Sequence, residues 1–203
     1  MEGSREWFNE LPRTDGIYRY IEQLKEGELS QRIKAAIALG ESRDPRAVRP
    51  LVDHCGDDHA ELRRNIVEAL CRLESVRSVG ALNDRLKDQN EDWVTRRQAA
   101  DGLGAIRSYS AIDSLVERLL DGKEDTAVRI HIAEVLSRTG SKKACEALKC
   151  LSGEAGALQG SVEEALRKLG VSSKDGGGSG SSLPFTKHLS SLPREKLPTG
   201  SIE

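Results

Sequence analysis

Aromatic residues are scarce in this sequence, at 3% of 203 residues, and few stretches read as strands. A chain so poor in strand formers is not all-β. Long apolar runs are missing too. None approaches the roughly 18 residues of a membrane-spanning helix. The opening residues, MEGSREWFNELPRTDG, hold no apolar signal core, so no secretion signal is visible. Excess charge of one sign is also absent. With 31 basic and 33 acidic residues the net charge is −2, which offers no global field to nucleic acid or membrane. Neither is expected as a partner. Cysteine is sparse: Cys55, Cys71, Cys145 and Cys150 form no C-x-x-C. They are expected to be free thiols in a reducing compartment, which points to the cytoplasm.

What the chain does have is a repeat. Leu39, Leu70, Leu103, Leu136 and Leu166 each lie in an Ala/Gly-rich segment, at steps of 31, 33, 33 and 30 residues. Seven residues before these leucines stand Arg32, Arg63, Arg96, Arg129 and Gln159. Five after the first four stand Asp44, Ser75, Ser108 and Ser141. Nine after come Val48, Val79, Ile112 and Cys145, and twelve after come Leu51, Leu82, Leu115 and Leu148. The Asp/Ser column suits helix N-caps, whose side-chain oxygen accepts an orphan backbone N–H. Pro45 then falls at the first helical position, where its missing N–H costs nothing. Offsets of nine and twelve share a helical face. Each unit is therefore a helix A, a short turn and a helix B, and the small residues on helix A permit close helix approach. One such pair cannot bury its apolar face alone; stacked pairs share a continuous core.

This pattern, best seen in QRIKAAIALGESRDPRAVRPLVDH and more loosely in AVRIHIAEVLSRTGSKKACEAL, resembles the PBS-lyase type of HEAT-like repeat. The resemblance runs from about Gly16 to Gly170. It implies an all-α, right-handed α-solenoid of about four full repeats with terminal capping helices. It also implies a role as adaptor, scaffold or bilin-lyase subunit. Ser75, Ser108 and Ser141 depart from the family's usual Asp, and no proline follows them. The expected organisation is an N-terminal cap and half repeat over 1–29, repeats and a C-terminal cap helix over 30–171, a Gly/Ser linker over 172–182 and a linear peptide over 183–203. Within the cap, GIYRYIEQLKEG reads as a lone helix of B type, and Trp7, Phe8 and Leu11 cover its apolar end or anchor a partner. Gly170 is placed as the stop of the last helix.

Motifs that carry chemistry are few. No phosphate loop, dinucleotide fingerprint or nucleophile elbow is present. DHCGDDH holds metal-ligand types at Asp53, His54, Cys55, Asp57, Asp58 and His59, but it falls where a B helix ends and turn and cap residues are needed. The family's deoxyhypusine hydroxylase kind carries repeated His-Glu pairs, and none occurs here. His131, between Ile130 and Ile132, reads as a packed histidine. The arginine column reads as bridges between neighbouring units, with a nucleic-acid stripe as the alternative. Trp93 is either a junction plug or an exposed anchor. No enzyme, metal or cofactor is expected.

The family resemblance implies that B helices line the concave face. Outward positions there are Arg46, Arg49, Asp53, Asn83, Lys87, Tyr109, Asp113, Glu117, Lys142, Glu146 and Lys149. This mixed set suits a peptide or protein partner. The tail suggests what such a peptide looks like. Seven Gly/Ser residues, Gly176 to Ser182, form a coil of about 15 Å. LPFTKHLSSLPREKLPTGSIE follows, with Leu183, Phe185, Leu189, Leu192 and Leu197 among polar residues and prolines that forbid a long helix. Extended, it reaches about 70 Å. Either it is a native docking or autoinhibitory tail, or it is a partner's peptide joined to its receptor. The expected function is a non-enzymatic adaptor that binds an extended Leu/Pro-containing peptide on its B helices. An accessory subunit of a bilin-lyase-like or other cofactor-handling enzyme is the second expectation.

Overall fold

The computed structural model describes residues 12–153 and 156–171. The chain divides into a compact unit, Met1–Ser172, and a second unit, Ser173–Glu203. The expectations for Trp7, Phe8, Leu11, Leu183, Phe185, Leu189, Leu192 and Leu197 lie outside the described residues.

The described residues are all-helical: α1 (Pro12–Glu26), α2 (Leu29–Ser42), α3 (Val48–Asp53), α4 (Ala60–Leu73), α5 (Val79–Lys87), α6 (Trp93–Ile106), α7 (Tyr109–Leu120), α8 (Thr126–Ser137), α9 (Lys142–Cys150) and α10 (Ala157–Lys168). The even-numbered helices are A helices and the odd-numbered ones B helices. A packs on A between units, α2 on α4, α4 on α6, α6 on α8 and α8 on α10, and each also packs on a neighbouring B helix. This is the helix-pair stack of an α-solenoid.

The repeat columns are its core. Leu39, Leu70, Leu103 and Leu136 are fully buried, as are Leu51, Leu82, Leu115 and Leu148. Each such side chain contributes about 1.5–3 kcal/mol by leaving water. The small residues of the A helices are needed where helices touch. A Cβ on Gly40 would sit 2.7 Å from Ala69 Cα, one on Gly102 would strike Cys71 Sγ, and one on Gly104 would strike Val135 Cγ1.

Turn chemistry differs between units. Asp44 and Ser75 accept from the amides of Arg46 and Arg77, two residues on, and a short 3₁₀ turn then leads into α3 and α5. Ser108 accepts from Ala111, three residues on, and α7 starts directly. Ser141 has the extended backbone of a cap but makes no side-chain cap bond, a departure from the expected column. Arg43, Glu74 and Arg107 end their A helices in the left-handed region, at φ 51, 47 and 52. At the far end Gly170 takes φ 73, and Val171 N–H donates to the Leu166 carbonyl at 3.0 Å. That 6→1 bond closes α10 as a Schellman motif.

Candidate functional site

The arginine column joins units. Arg32 Nε donates to the Leu24 carbonyl at 2.9 Å, and its Nη2 reaches the Asp57 carboxylate of the next loop. Arg96 repeats this with the Leu86 carbonyl at 3.0 Å and Glu124 Oε1 at 2.7 Å. Arg63 grips Glu91 with two bonds, 2.7 and 3.0 Å, and donates to the carbonyls of Asp57 and Asp58. Arg129 Nε donates to the Leu119 carbonyl at 2.9 Å. Gln159, in the fifth place, bonds instead to Glu163 within its own helix.

A second column completes the arrangement. Asp57, Glu91 and Glu124 recur at 34 and 33 residues, just before successive A helices. The Glu91 side chain is fully buried and that of Glu124 is 1% exposed. Arg85 also reaches Glu91, at 3.2 Å, and its counterpart Arg118 lies 3.8 Å from Glu124. These acids were legible from their spacing, which matches the repeat, but no residue type in them marks a bridge. Asp57 feels burial, which pushes its carboxyl up. Its hydrogen bonds from the His59 amide, Arg32 and the His59 ring outweigh that and bring it down to about 2.

The DHCGDDH segment is spent on the same task. His54 Nδ1 lies 2.8 Å from the Pro50 carbonyl, and His59 Nδ1 lies 3.0 Å from Asp57 Oδ1. Cys55 is buried, and burial pushes its thiol up to about 11. Cys71 is pushed up to about 12 for the same reason. Both are packing groups rather than nucleophiles. Cys145 is half-buried and Cys150 exposed. Among the described residues no three His, Cys, Asp or Glu side chains converge to hold a metal.

His131 is buried on α8, with Nε2 3.1 Å from Asp101 Oδ1 across the α6–α8 junction. Arg138 reaches the same oxygen at 3.1 Å. Burial raises the Asp101 carboxyl, and His131 and Arg138 more than offset it, leaving it below its ordinary range. Trp93 lies edge-on to His131, with ring centroids 6.4 Å apart, while staying 43% exposed. It is both a junction residue and a surface one. A cleft of about 350 Å³ opens beside this network, lined by Arg97, Asp101, His131, Glu134 and Arg138 among others.

On the B helices the expected outward residues divide. Arg49 and Asp53 are exposed, 3.9 Å apart. Arg46 pairs with Asp44 and lies 5.4 Å over the Tyr18 ring. Tyr109 is 92% exposed. Lys87 pairs with Glu117 at 3.2 Å, and Asp113 pairs with Lys143, so two of these contacts run from one B helix to the next. Lys142, Glu146 and Lys149 are exposed. Asn83 is different: its Oδ1 is buried with no hydrogen-bond partner among the described residues. Arg49/Asp53 and Asp113/Glu117 lie ten and fourteen residues after the core leucine, and those places on α5 belong to Gly80 and Asp84. Both are exposed, whereas Asn83 and Lys87, about 60° round the helix, are half-buried.

Comparison with known proteins accords with this architecture. The family model for HEAT repeats matches residues 20–95 and 86–167. The chain is a HEAT-repeat protein. No protein of curated function matches this HEAT-repeat sequence. Among solved structures it is similar to the complex of CpcE and CpcF of phycocyanin lyase from Nostoc sp. PCC7120, with 24% identity, a TM-score of 0.58 and coverage of 75% of this chain. It spans 64% of that neighbour's length, under two thirds. Human deoxyhypusine hydroxylase is a more distant match, with 16% identity, a TM-score of 0.38 and coverage of 76% of this chain and 84% of that one. No helix among the described residues is long and apolar enough to cross a membrane.

Proposed function

We propose that this HEAT-repeat protein is a non-enzymatic adaptor whose B helices bind an extended, Leu/Pro-containing segment of a partner protein. The 183–203 segment would act as a tethered ligand of that kind. One observation carries the reading. The arginine–carboxylate bridges and the leucine columns account for the fold, yet the B helices still present side chains that neither uses, with Tyr109 at 92% exposure foremost. Tyrosine is a favoured anchor at interfaces. Arg49, Asp53, Asp84, Lys142 and Glu146 supply a polar surround. The titratable groups are spent on structure: Asp57 and Glu124 on arginines, and Cys55 and Cys71 in packing.

Calorimetry tests this with a free peptide of residues 183–203 and a chain ending at Asp175, which keeps the whole helical unit. Binding is expected, and Tyr109→Ala on the protein and Phe185→Ala on the peptide should each weaken it several-fold. No heat at millimolar peptide would remove the tail from this function.

The likeness to CpcE–CpcF favours a second reading, an accessory subunit of a lyase that works beside another protein. A purified chain that takes up a tetrapyrrole and gains a visible absorbance band would support it over the first.

A further inference from the structure

We infer that the edge formed by the A-to-B turns is a second docking surface, one that takes an extended acidic segment bearing apolar residues. The observation behind it is an uneven use of charge along two edges of the stack. At the B-to-A loops most acids are consumed internally: Asp57 by Arg32, Glu91 by Arg63 and Arg85, Glu124 by Arg96, while Asp92 and Asp125 cap helices and Asp58 stays exposed. At the A-to-B turns the excess is basic, with Arg43, Arg77, Arg107 and Lys142 against Glu74, while Arg46, Arg138 and Lys143 pair with Asp44, Asp101 and Asp113. Arg107 donates to the Arg138 carbonyl at 3.3 Å, which ties one such turn to the next. Arg43, Arg77 and Lys142 are exposed and have no carboxylate partner among the described residues.

The helix dipole separates two kinds of cation here. Arg43, Arg107 and Arg138 close A helices, where positive charge is favoured. Arg77 and Lys142 stand in the first turn leading into α5 and α9, where positive charge opposes the dipole. The fold gains nothing from cations in those places; an anionic partner would. Beside them lie apolar residues at one position of three successive units: Pro45, Val76 at 60% exposure and Tyr109 at 92%.

Spacing favours a peptide. Neighbouring units are about 10 Å apart, which an extended chain covers in about three residues. A segment with an acid and an apolar residue in each triplet therefore meets one cation per unit and, in the first three units, one apolar side chain; in the fourth Lys142 takes the apolar place. Nucleic acid would stack on aromatic rings, and Pro45 and Val76 offer none.

Fluorescence anisotropy of the full-length chain with a labelled peptide of Glu-Leu-Ser triplets tests the inference. Its Gln-Leu-Ser counterpart and an oligouridine of equal charge are the comparisons. The acidic peptide is expected to bind, to weaken as salt rises, and to lose about tenfold or more in affinity to the Arg43→Glu, Arg77→Glu, Lys142→Glu triple variant. Tyr109→Ser should cost several-fold. If the triple variant unfolds, Arg77→Gln and Lys142→Gln separately carry the test, each expected to weaken binding. Equal binding of the two peptides, no effect of the variants, or tighter binding of oligouridine would overturn it. Tyr109 and Lys142 belong to both surfaces, so the Arg43→Glu, Arg77→Glu double variant tells them apart: it should weaken the acidic peptide and leave binding of the 183–203 peptide unchanged.

Discussion

The loops that lead from B to A and the turns that lead from A to B carry similar residues to different ends. Glu91 and Glu124 are closed off from water and gripped by arginines of the preceding unit. Arg77 and Lys142, at the other edge, are exposed and touch no carboxylate among the described residues. Charge at the first edge is part of the interior, where removing one partner strands the other. Charge at the second is screened by solvent and contributes little to folding. A repeat protein can thus hold its stack together on one edge and leave the other to be shaped by a partner.

Breaking this contrast should give graded effects. The largest belongs to Glu124→Ala, which leaves buried Arg96 without its carboxylate and should cost about 3–5 kcal/mol in urea unfolding. Arg77→Ala on the opposite edge should stay within about 0.5 kcal/mol; comparable losses would erase the distinction. Next comes Gly40→Ala, whose new methyl meets the backbone of Ala69 and should cost about 1–3 kcal/mol. Gly80→Ala, with nothing within 4 Å, should instead stabilise by about 0.5–1 kcal/mol.

Acid sharpens the comparison at Asp57. Its carboxyl is held at about 2, below the ordinary 3.8, so the stability it contributes is complete above pH 4 and lost as pH falls toward 2. Asp57→Asn should flatten the unfolding free energy over that window, measured by circular dichroism against pH. A small gain is expected at Glu74. Its left-handed backbone, φ 47, suits glycine better, and Glu74→Gly should raise stability by up to about 1 kcal/mol.

Much of the architecture was readable because a stacked core demands the same residue at the same offset in every unit. Leu39, Leu70, Leu103 and Leu136 show it, as do the arginines that precede them. The carboxylates opposite those arginines obey the same period, but a loop acid looks the same whether it faces water or a guanidinium. Asn83 and Lys87 are half-buried rather than fully outward because an outward position on a helix is defined by angle. A shift of three residues preserves polarity while turning the side chain toward its neighbour. Ser141 was expected to cap because its sequence position matches Ser108, yet its side chain makes no cap bond, and its amide donates to Thr139 Oγ1 at 3.3 Å instead. The charge imbalance at the A-to-B turns is hidden in the sequence for a different reason. It is spread over residues about thirty apart, and only stacking collects them.

The bridges of Arg32, Arg63 and Arg96 each span a single junction, from one A helix to the loop that opens the next. Coupling of this kind is between nearest neighbours, so the stability of the stack should behave as a chain of links rather than as one block. Amide exchange should then rise stepwise from the middle units toward the ends. A unit inserted between α6 and α8 with its own arginine and its own loop acid should lengthen the stack without disturbing the units on either side.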